Sequence, residues 1–196
     1  MKKYLALGDS YTIGEQVNES DNFPNQLYSL LNTENNVFAP PKIIATTGWT
    51  TDELATAIAQ AKPSFDHDLV SLLIGVNNQY RGRSIDEYYT HFYGLMCQAI
   101  LFAQSKPKQV VVLSIPDWGM TPFNQDRDRE LISKEIDAYN NINKNIALHF
   151  GAHYIDITHS TRLHANKLEY LTPDLLHYSA KEYKLWVQQI ASVIIK

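Results

Sequence analysis

Two stretches near opposite ends of the chain carry residue types that could supply a nucleophile and its base. Near the N-terminus, Asp9 and Ser10 directly follow a short apolar run. Near the C-terminus, Asp174 precedes His177 by three residues. A serine hydroxyl becomes an effective nucleophile when a histidine takes its proton and a carboxylate orients that histidine. The alternative is purely structural, with helix caps at Asp9, Ser10 and Asp174 and a surface side chain at His177.

Two further residues could stabilise the negative charge that develops when a serine attacks a carbonyl group. Gly48 follows the second predicted strand, and without a Cβ its backbone can approach a ligand closely. Asn77 follows the third predicted strand and offers a side-chain amide that donates without ionising. Together with the backbone N–H of Ser10, these groups could form an oxyanion hole. Each also has an ordinary alternative, because Gly and Asn are frequent in turns.

The elements that must position these residues alternate between strands and helices. Apolar runs predict strands at Tyr4–Leu7, Lys42–Thr46, Asp68–Ile74, Gln109–Ile115 and His153–Ile157. The helices predicted between and after them are Phe23–Leu31, one capped by Thr51 or Asp52, one behind Ser84, Asp126–Phe150 and one from about Ser179. Residues 75–82 are predicted to form a polar loop.

This alternation predicts an α/β fold. We expect a three-layer α/β/α sandwich around a flavodoxin-like, five-stranded parallel sheet in the order 2-1-3-4-5, with residues 1–196 forming a single domain. The carboxyl ends of parallel strands meet at one edge of the sheet, where ligands bind in such folds. The candidate residues are therefore expected to converge there.

Composition restricts the class of protein and its partners. The 196 residues include 44% hydrophobic residues and carry a net charge of -4, which is typical of a soluble globular protein and argues against nucleic acid as a partner. No apolar run reaches the roughly 20 residues of a membrane span. The run before Gly8 is too short for a signal peptide, so we expect a cytoplasmic protein.

Cofactor and metal motifs are missing from the sequence. The one cysteine, Cys97, excludes an internal disulfide, and neither a cysteine pair nor a His-Glu-x-x-His motif indicates a metal site. No glycine-rich phosphate loop follows any predicted strand, which disfavours a nucleotide or flavin cofactor. We therefore expect no cofactor and no metal.

The order of the polar blocks resembles that of the SGNH, or GDSL-type, hydrolase family. The blocks are Gly8-Asp9-Ser10, Gly48, Gly75-Val76-Asn77 and Asp174-Leu175-Leu176-His177, so the resemblance spans residues 8–177. It implies that Ser10 is the nucleophile and that Asp174 and His177 complete a catalytic triad. It also implies oxyanion donors at Ser10, Gly48 and Asn77. The implied activity is ester hydrolysis through an acyl-enzyme.

Two positions depart from the usual pattern of that family. Tyr11 stands where many members have leucine, which concerns packing or the pocket wall rather than the chemistry. Asn78 stands where the third block usually has aspartate. That aspartate is thought to support the loop, so the change concerns how Asn77 is held. Asn78 can still form hydrogen bonds within the loop.

Short loops after the third and fourth strands supply the expected substrate-binding residues, namely Tyr80, Arg81, Trp118, Met120 and Phe123. Arg81 could meet a polar or anionic part of the substrate, whereas Trp118 and Phe123 could instead only pack the loop against the long helix. No insertion is long enough for a lid, so we expect small, short-acyl ester substrates.

Two other functions remain open at this point. An acyltransferase of the same fold would pass the acyl group to an alcohol instead of water. A non-catalytic ligand-binding domain would retain the fold with an unused serine. The sequence does not indicate the oligomeric state.

Overall fold

The five predicted strands form one parallel sheet. The computed structural model describes residues 1–34 and 36–195. Its strands are β1 (Tyr4–Gly8), β2 (Lys42–Ala45), β3 (Leu69–Leu73), β4 (Val110–Leu113) and β5 (His153–Ile155). Their order is β2-β1-β3-β4-β5, and every neighbouring pair is parallel. The predicted topology is therefore confirmed, although most strands are one or more residues shorter than predicted.

The register of the strands brings the loops after them to one edge of the sheet. Gly8 at the end of β1 lies opposite Ala45 of β2 and Leu73 of β3, so these three strands end at the same level. Every residue of β1, β3 and β4 is buried, as expected for parallel strands covered on both faces. The loops that follow β1, β2 and β3 consequently leave the sheet side by side.

Eight α-helices in the described part of the chain flank the sheet. They are α1 (Ser10–Ile13), α2 (Phe23–Leu31), α3 (Thr51–Ala61), α4 (Val76–Tyr80), α5 (Ile85–Phe102), α6 (Arg129–Phe150), α7 (Thr158–His164) and α8 (Ala180–Ile194). Helix α2 packs against α8, while α5 packs against both α3 and α6. The result is the three-layer sandwich that the alternation of strands and helices predicts. None of these helices is both long and apolar enough to cross a membrane.

Helix starts follow local capping chemistry. Asn22, Ser84 and Asp128 each accept a backbone N–H near the start of the helix that follows. Helix α3 begins one or two residues earlier than predicted, with Thr50 rather than Thr51 or Asp52 at the N-cap. The reason is that the Glu53 carboxylate accepts the Thr50 backbone N–H at 2.8 Å, which is one half of a capping box.

Two short helices and one side chain differ from the expectations. Helix α4 occupies part of the predicted polar loop and is introduced by Gly75, whose φ of 130° suits a glycine. Helix α7 was not predicted, because its polar residues show no apolar period; it is held instead by Ser114, whose hydroxyl oxygen accepts the backbone N–H groups of Ile157 and Thr158. The spacing of apolar residues in α6 predicts Leu131 on the buried face beside Ile132 and Ile136, but Leu131 is 52% exposed.

Candidate active site

Ser10, His177 and Asp174 lie in one hydrogen-bonded chain. The Ser10 Oγ is 2.9 Å from His177 Nε2, and His177 Nδ1 is 2.6 Å from Asp174 Oδ2. Because an ionised carboxylate only accepts, Nδ1 carries the imidazole hydrogen and Nε2 is left to accept the serine hydroxyl proton. Ser10 is 4% exposed and His177 7% exposed. This geometry is suited to increasing the nucleophilicity of the serine.

The position of Ser10 is determined by the turn that follows β1. The Asp9 carboxylate accepts the Tyr11 N–H at 3.0 Å and thereby caps α1, as the structural alternative proposed. Capping does not compete with a chemical role, because Ser10 is the first residue of the capped helix and its hydroxyl reaches His177. The Ser10 N–H is also one of the N-terminal amides for which a helix provides no internal acceptor.

A tight turn places Asp174 and His177 relative to each other. Leu175 has a φ of 61°, and the Asp174 Oδ1 accepts hydrogen bonds from the backbone N–H groups of Leu176 and His177. Burial raises the pKa of Asp174, but the hydrogen bonds from His177, Leu176 and the Thr172 hydroxyl outweigh it and lower the pKa to about 2. Asp174 is therefore ionised at neutral pH and can orient the imidazole.

The two asparagines of the third block have different surroundings. Asn77 donates one amide hydrogen to the Trp49 carbonyl at 3.0 Å, which orients the amide and leaves its second hydrogen for a ligand. Asn78 is fully buried and contacts Thr51 twice. Its Oδ1 accepts the Thr51 N–H at 3.1 Å, and its Nδ2 donates to the Thr51 Oγ1 at 2.8 Å. Asn78 thus ties α4 to the start of α3.

The hydrogens of this network have a defined direction. Because the Thr51 N–H must donate to Asn78 Oδ1, the Asn78 amide nitrogen donates to the Thr51 hydroxyl oxygen. The hydroxyl hydrogen is then free for His91 Nδ1, which lies 3.2 Å away. An aspartate at position 78 could accept from both the backbone and the hydroxyl of Thr51, so it would fit the same place with the hydroxyl hydrogen turned toward it.

A cavity of about 230 Å³ opens beside Ser10. Its walls are formed by Ser10, Tyr11, Thr47, Gly48, Val76, Asn77, Tyr80, Trp118, Phe123, Leu176 and His177. The cavity therefore joins the strand-end blocks with three of the five side chains proposed for substrate binding. Leu176 and Val76 were not singled out from the sequence, although each lies inside one of its polar blocks. Among the described residues, Arg81 and Met120 are not part of this lining.

Arg81 contacts the chain itself. Its Nη2 donates to the Gly48 carbonyl at 2.6 Å, and its Nη1 pairs with the Glu53 carboxylate at 3.3 Å. Gly48 has a φ of 85°, a conformation that residues with a Cβ rarely adopt. Arg81 thus holds the glycine turn rather than facing the cavity, which differs from the substrate contact suggested by the sequence.

Trp118 is packed and lines the cavity at the same time. Its indole Nε1 donates to the Gln79 Oε1 at 2.7 Å, and the Gln79 Nε2 donates to the Glu135 carboxylate at 2.7 Å. The preceding residue, Asp117, is fully buried and pairs with Arg162 at 2.8 Å. The two expectations for Trp118, a packing role and a place in the pocket wall, therefore do not exclude each other.

Asp9 has an unusual environment for a carboxylate. Its side chain is fully buried, and its Oδ2 has no hydrogen-bond partner in the described part of the chain. Burial raises the pKa of Asp9 to about 7, and the hydrogen bond from the Tyr11 N–H offsets only part of this effect. In the unfolded chain the same group titrates near pH 4, so the folded protein binds more protons at Asp9 between pH 4 and 7.

We expect the Asp9→Asn variant to become more stable relative to the wild type as pH rises. Stability from the protonated Asp9 is present in acid and is lost as pH rises through about 7, whereas asparagine does not ionise and keeps an oxygen for the Tyr11 N–H. The difference in free energy of unfolding should shift by about 2.5 kcal/mol between pH 5 and pH 8. Urea denaturation at both pH values measures it, with the exposed Asp126→Asn variant as control. A difference independent of pH would contradict the prediction.

No group of three or more histidine, cysteine, aspartate or glutamate side chains is arranged to hold a metal ion within residues 1–34 and 36–195. Gly48 and Asn77 line the same cavity as Ser10 and His177, so all five residues proposed for the chemistry or its support lie within one small region.

Several solved structures have a similar fold. They include a lipase/acylhydrolase from Enterococcus faecalis (17% identity, TM-score 0.72, covering 99% of this chain and 95% of that one). A second is an acetylxylan esterase from Geobacillus stearothermophilus (18% identity, TM-score 0.72, covering 98% of this chain and 94% of that one). A third is a psychrotrophic esterase from Pseudoalteromonas sp. (15% identity, TM-score 0.70, covering 100% of this chain and 97% of that one). At these identities the likeness concerns the fold. A comparison with curated protein sequences gave no match.

The family assignment rests on the sequence. The model of the GDSL-like lipase/acylhydrolase family matches residues 6–185, a range that contains all four polar blocks. The same blocks surround the cavity beside Ser10 or lie in the turn next to it. With the family match, the shared fold and the position of these blocks all in agreement, the chain belongs to the GDSL-like lipase/acylhydrolase family of hydrolases.

Proposed function

We propose that this protein is a serine ester hydrolase that acts through an acyl-enzyme on small, short-acyl carboxylic esters. The observation that carries the proposal is the chain of hydrogen bonds from Ser10 through His177 to Asp174 beside a cavity. A buried serine with a histidine at hydrogen-bond distance and an ionised carboxylate behind it has the geometry of an activated nucleophile. Membership of an acylhydrolase family supports the same chemistry.

In the first half of the reaction, the Ser10 Oγ attacks the ester carbonyl carbon while His177 Nε2 takes the hydroxyl proton. The imidazolium is stabilised by Asp174. The carbonyl oxygen becomes an oxyanion and accepts hydrogen bonds from the N–H groups of Ser10 and Gly48 and from the Asn77 amide. His177 then gives its proton to the leaving alcohol, and the acyl group remains on Ser10.

In the second half, water replaces the alcohol and the steps run in reverse order. His177 takes a proton from water as the water oxygen attacks the acyl carbon, and the same donors hold the second oxyanion. Collapse of this intermediate breaks the bond to the Ser10 Oγ, which regains its proton from His177. The products are a carboxylic acid and the free enzyme.

The size and lining of the cavity support short acyl groups. Its volume of about 230 Å³ lies below the roughly 300–1,000 Å³ of pockets that enclose drug-sized ligands. Bulky side chains at Tyr80, Trp118 and Phe123 form much of its apolar wall. We expect the highest kcat/KM on p-nitrophenyl acetate to butyrate in a series of increasing chain length. A maximum at about eight carbons or more would contradict this assignment and reveal a deep acyl channel.

Labelling with a fluorophosphonate probe tests whether Ser10 is an activated nucleophile. A hydrolase or an acyltransferase should be labelled, and the Ser10→Ala variant should not. A folded wild-type protein that is not labelled would support the non-catalytic ligand-binding alternative. Product analysis in the presence of alcohols then separates the two enzymes, because an acyltransferase forms a new ester where a hydrolase releases the acid.

We expect the Asn77→Ala variant to lose about a hundred- to a thousandfold in kcat with a modest change in KM, because it removes one oxyanion donor. The matched control is Asn78→Asp, which should remain active, since a carboxylate can accept from both the N–H and the hydroxyl of Thr51. Steady-state rates on p-nitrophenyl acetate measure both effects. An inactive Asn78→Asp enzyme beside a healthy Asn77→Ala enzyme would mean that the two roles are exchanged.

A further inference from the structure

A second cavity of about 230 Å³ adjoins the one beside Ser10. Its walls are formed by Tyr80, Trp118, Phe123, Asn124, Gln125, Asp126 and Arg127. The first three of these side chains also line the cavity beside Ser10. The two cavities therefore share an aromatic wall, which we call the Tyr80–Trp118–Phe123 wall. An ester bound at Ser10 has an alcohol portion in addition to its acyl group, and that portion can extend along this wall.

Arg127 places a positive charge against the shared wall. Its guanidinium carbon lies 4.4 Å from the centre of the Tyr80 ring and 5.4 Å from that of Trp118. Guanidinium groups stack on aromatic faces, which holds them in position without neutralising their charge. The backbone is fixed as well, because the Asn124 side chain accepts the Arg127 N–H and donates to the Arg127 carbonyl. The cation is thus held at the cavity rather than free in solvent.

Arg127 differs in its partners from three of the four other arginines of the chain, whereas Arg129, like Arg127, forms no ion pair among the described residues. Arg81 pairs with Glu53, Arg83 with Glu87, and Arg162 with the buried Asp117. For Arg127, no carboxylate in residues 1–34 and 36–195 lies within ion-pair distance. Its hydrogen-bonding groups therefore remain available to a ligand, whereas the guanidinium of Arg81 is already engaged by the Gly48 carbonyl and Glu53.

We propose that the second cavity binds an anionic oxygen group, such as a carboxylate, on the alcohol portion of the substrate, with Arg127 as its ligand. This rests on the proposed function: a short acyl group fills the cavity beside Ser10, so the alcohol portion extends along the Tyr80–Trp118–Phe123 wall. The planar guanidinium presents parallel N–H donors that match the two oxygens of a carboxylate. Arg127 is then a specificity-determining residue for an anionic leaving alcohol.

Asp126 is exposed and lines the same cavity as Arg127. Its carboxylate opposes an incoming negative charge, so it should limit the preference that Arg127 creates. The Asp126→Asn variant is therefore expected to increase the preference for an anionic substrate. Since both side chains are exposed, added salt should screen the two effects.

A matched pair of esters tests the proposal. We would measure kcat/KM for 3-carboxyphenyl acetate, which is anionic, and 3-carbamoylphenyl acetate, its neutral counterpart, and take their ratio in each protein. Comparing this ratio between proteins cancels the intrinsic difference in reactivity of the two leaving groups. In Arg127→Gln the ratio should fall about fivefold from its wild-type value. In Arg127→Lys, which keeps the charge but not the two parallel N–H donors of the guanidinium, the ratio should take an intermediate value.

The control for overall charge is Lys144→Gln, which removes one positive charge from the exposed side of α6. Lys144 lies fifteen residues beyond the start of that helix at Arg129, about 22 Å along its axis. The ratio of kcat/KM values for the two esters in Lys144→Gln should stay within about twofold of the wild-type ratio, because exposed charges at such distances are screened. An unchanged ratio in Arg127→Gln, or an equal fall in Lys144→Gln, would overturn the proposal.

Failure of the proposed function would look different. In that case wild-type protein would hydrolyse neither ester of the matched pair, and it would not hydrolyse p-nitrophenyl acetate. The charge preference could still be measured by calorimetry, by comparing the binding of 3-hydroxybenzoate with that of 3-hydroxybenzamide. Weaker binding of the anion by Arg127→Gln would support the anionic site without hydrolysis. Equal binding by both proteins would overturn it. Hydrolysis without any dependence on Arg127 would leave the proposed function intact and reject only the anionic site.

Discussion

Replacing Ser10 with alanine is expected to give a folded protein whose esterase activity is at least about a thousandfold lower than that of the wild type. The change removes the hydroxyl oxygen that we propose accepts the acyl group, while His177 and the proposed oxyanion donors remain. The turn after β1 should persist, because Asp9 caps it through the Tyr11 N–H and not through the serine hydroxyl. Steady-state rates on p-nitrophenyl acetate, with circular dichroism as a check on folding, measure the effect.

A second serine variant controls for the loss of a hydroxyl group as such. Ser192 is exposed on α8, where its hydroxyl donates to the Gln189 carbonyl. Ser192→Ala should therefore retain wild-type kinetics. If folded Ser10→Ala hydrolysed esters as fast as the wild type, the serine mechanism would have to be abandoned.

The second large effect is expected at His177, where His177→Ala should be nearly inactive, again by about a thousandfold or more. Without the imidazole, the Ser10 hydroxyl loses the base at hydrogen-bond distance and the leaving alcohol loses its proposed proton donor. Asp174 is left without its partner, because it is linked to Ser10 through the imidazole. The measurement is the same ester assay, combined with fluorophosphonate labelling, which should slow to a similar extent.

Variants of two other histidines serve as controls, because they remove an imidazole without removing the proposed base. His159 is exposed at the start of α7, and His159→Ala should keep full activity. His164 contacts the fully buried Glu182 at 2.7 Å, so His164→Ala should lower the melting temperature while the remaining folded protein still turns over substrate. An essential His159 or His164 together with a dispensable His177 would show that the base had been assigned to the wrong residue.

The sheet could be predicted because local composition is enough to identify its strands. Val110–Leu113 is a run of β-branched and apolar residues, and such runs form buried parallel strands when helices cover both faces. Alternation with helices and right-handed crossovers leaves few possible strand orders. The confirmed order therefore required no knowledge of contacts between distant residues.

Short polar elements could not be predicted, because tertiary contacts hold them. Helix α7 depends on Ser114, which is 44 residues away from Thr158 along the chain. Asn140 on the inner face of α6 binds both the N–H and the carbonyl of Ile115, although polar residues usually mark the exposed side of a helix. In both cases a partner distant in sequence determines where a polar side chain lies, and local patterning contains no trace of it.

The residues of the candidate site also fall into two groups, those that local sequence identifies and those whose position depends on tertiary contacts. Ser10, Gly48 and Asn77 could be singled out because each follows a strand, and local residue patterns are enough to place the strands to within a few residues. Which arginine lies at the cavity was decided only by tertiary structure. Arg81 was the expected contact, but Glu53, 28 residues away in sequence, and the Gly48 carbonyl engage it. Arg127 was not singled out, yet the rings of Tyr80 and Trp118 hold its charge at the cavity. A long, flexible side chain takes its direction from whichever partners the fold brings within reach, so its role follows from packing and not from its place in the sequence.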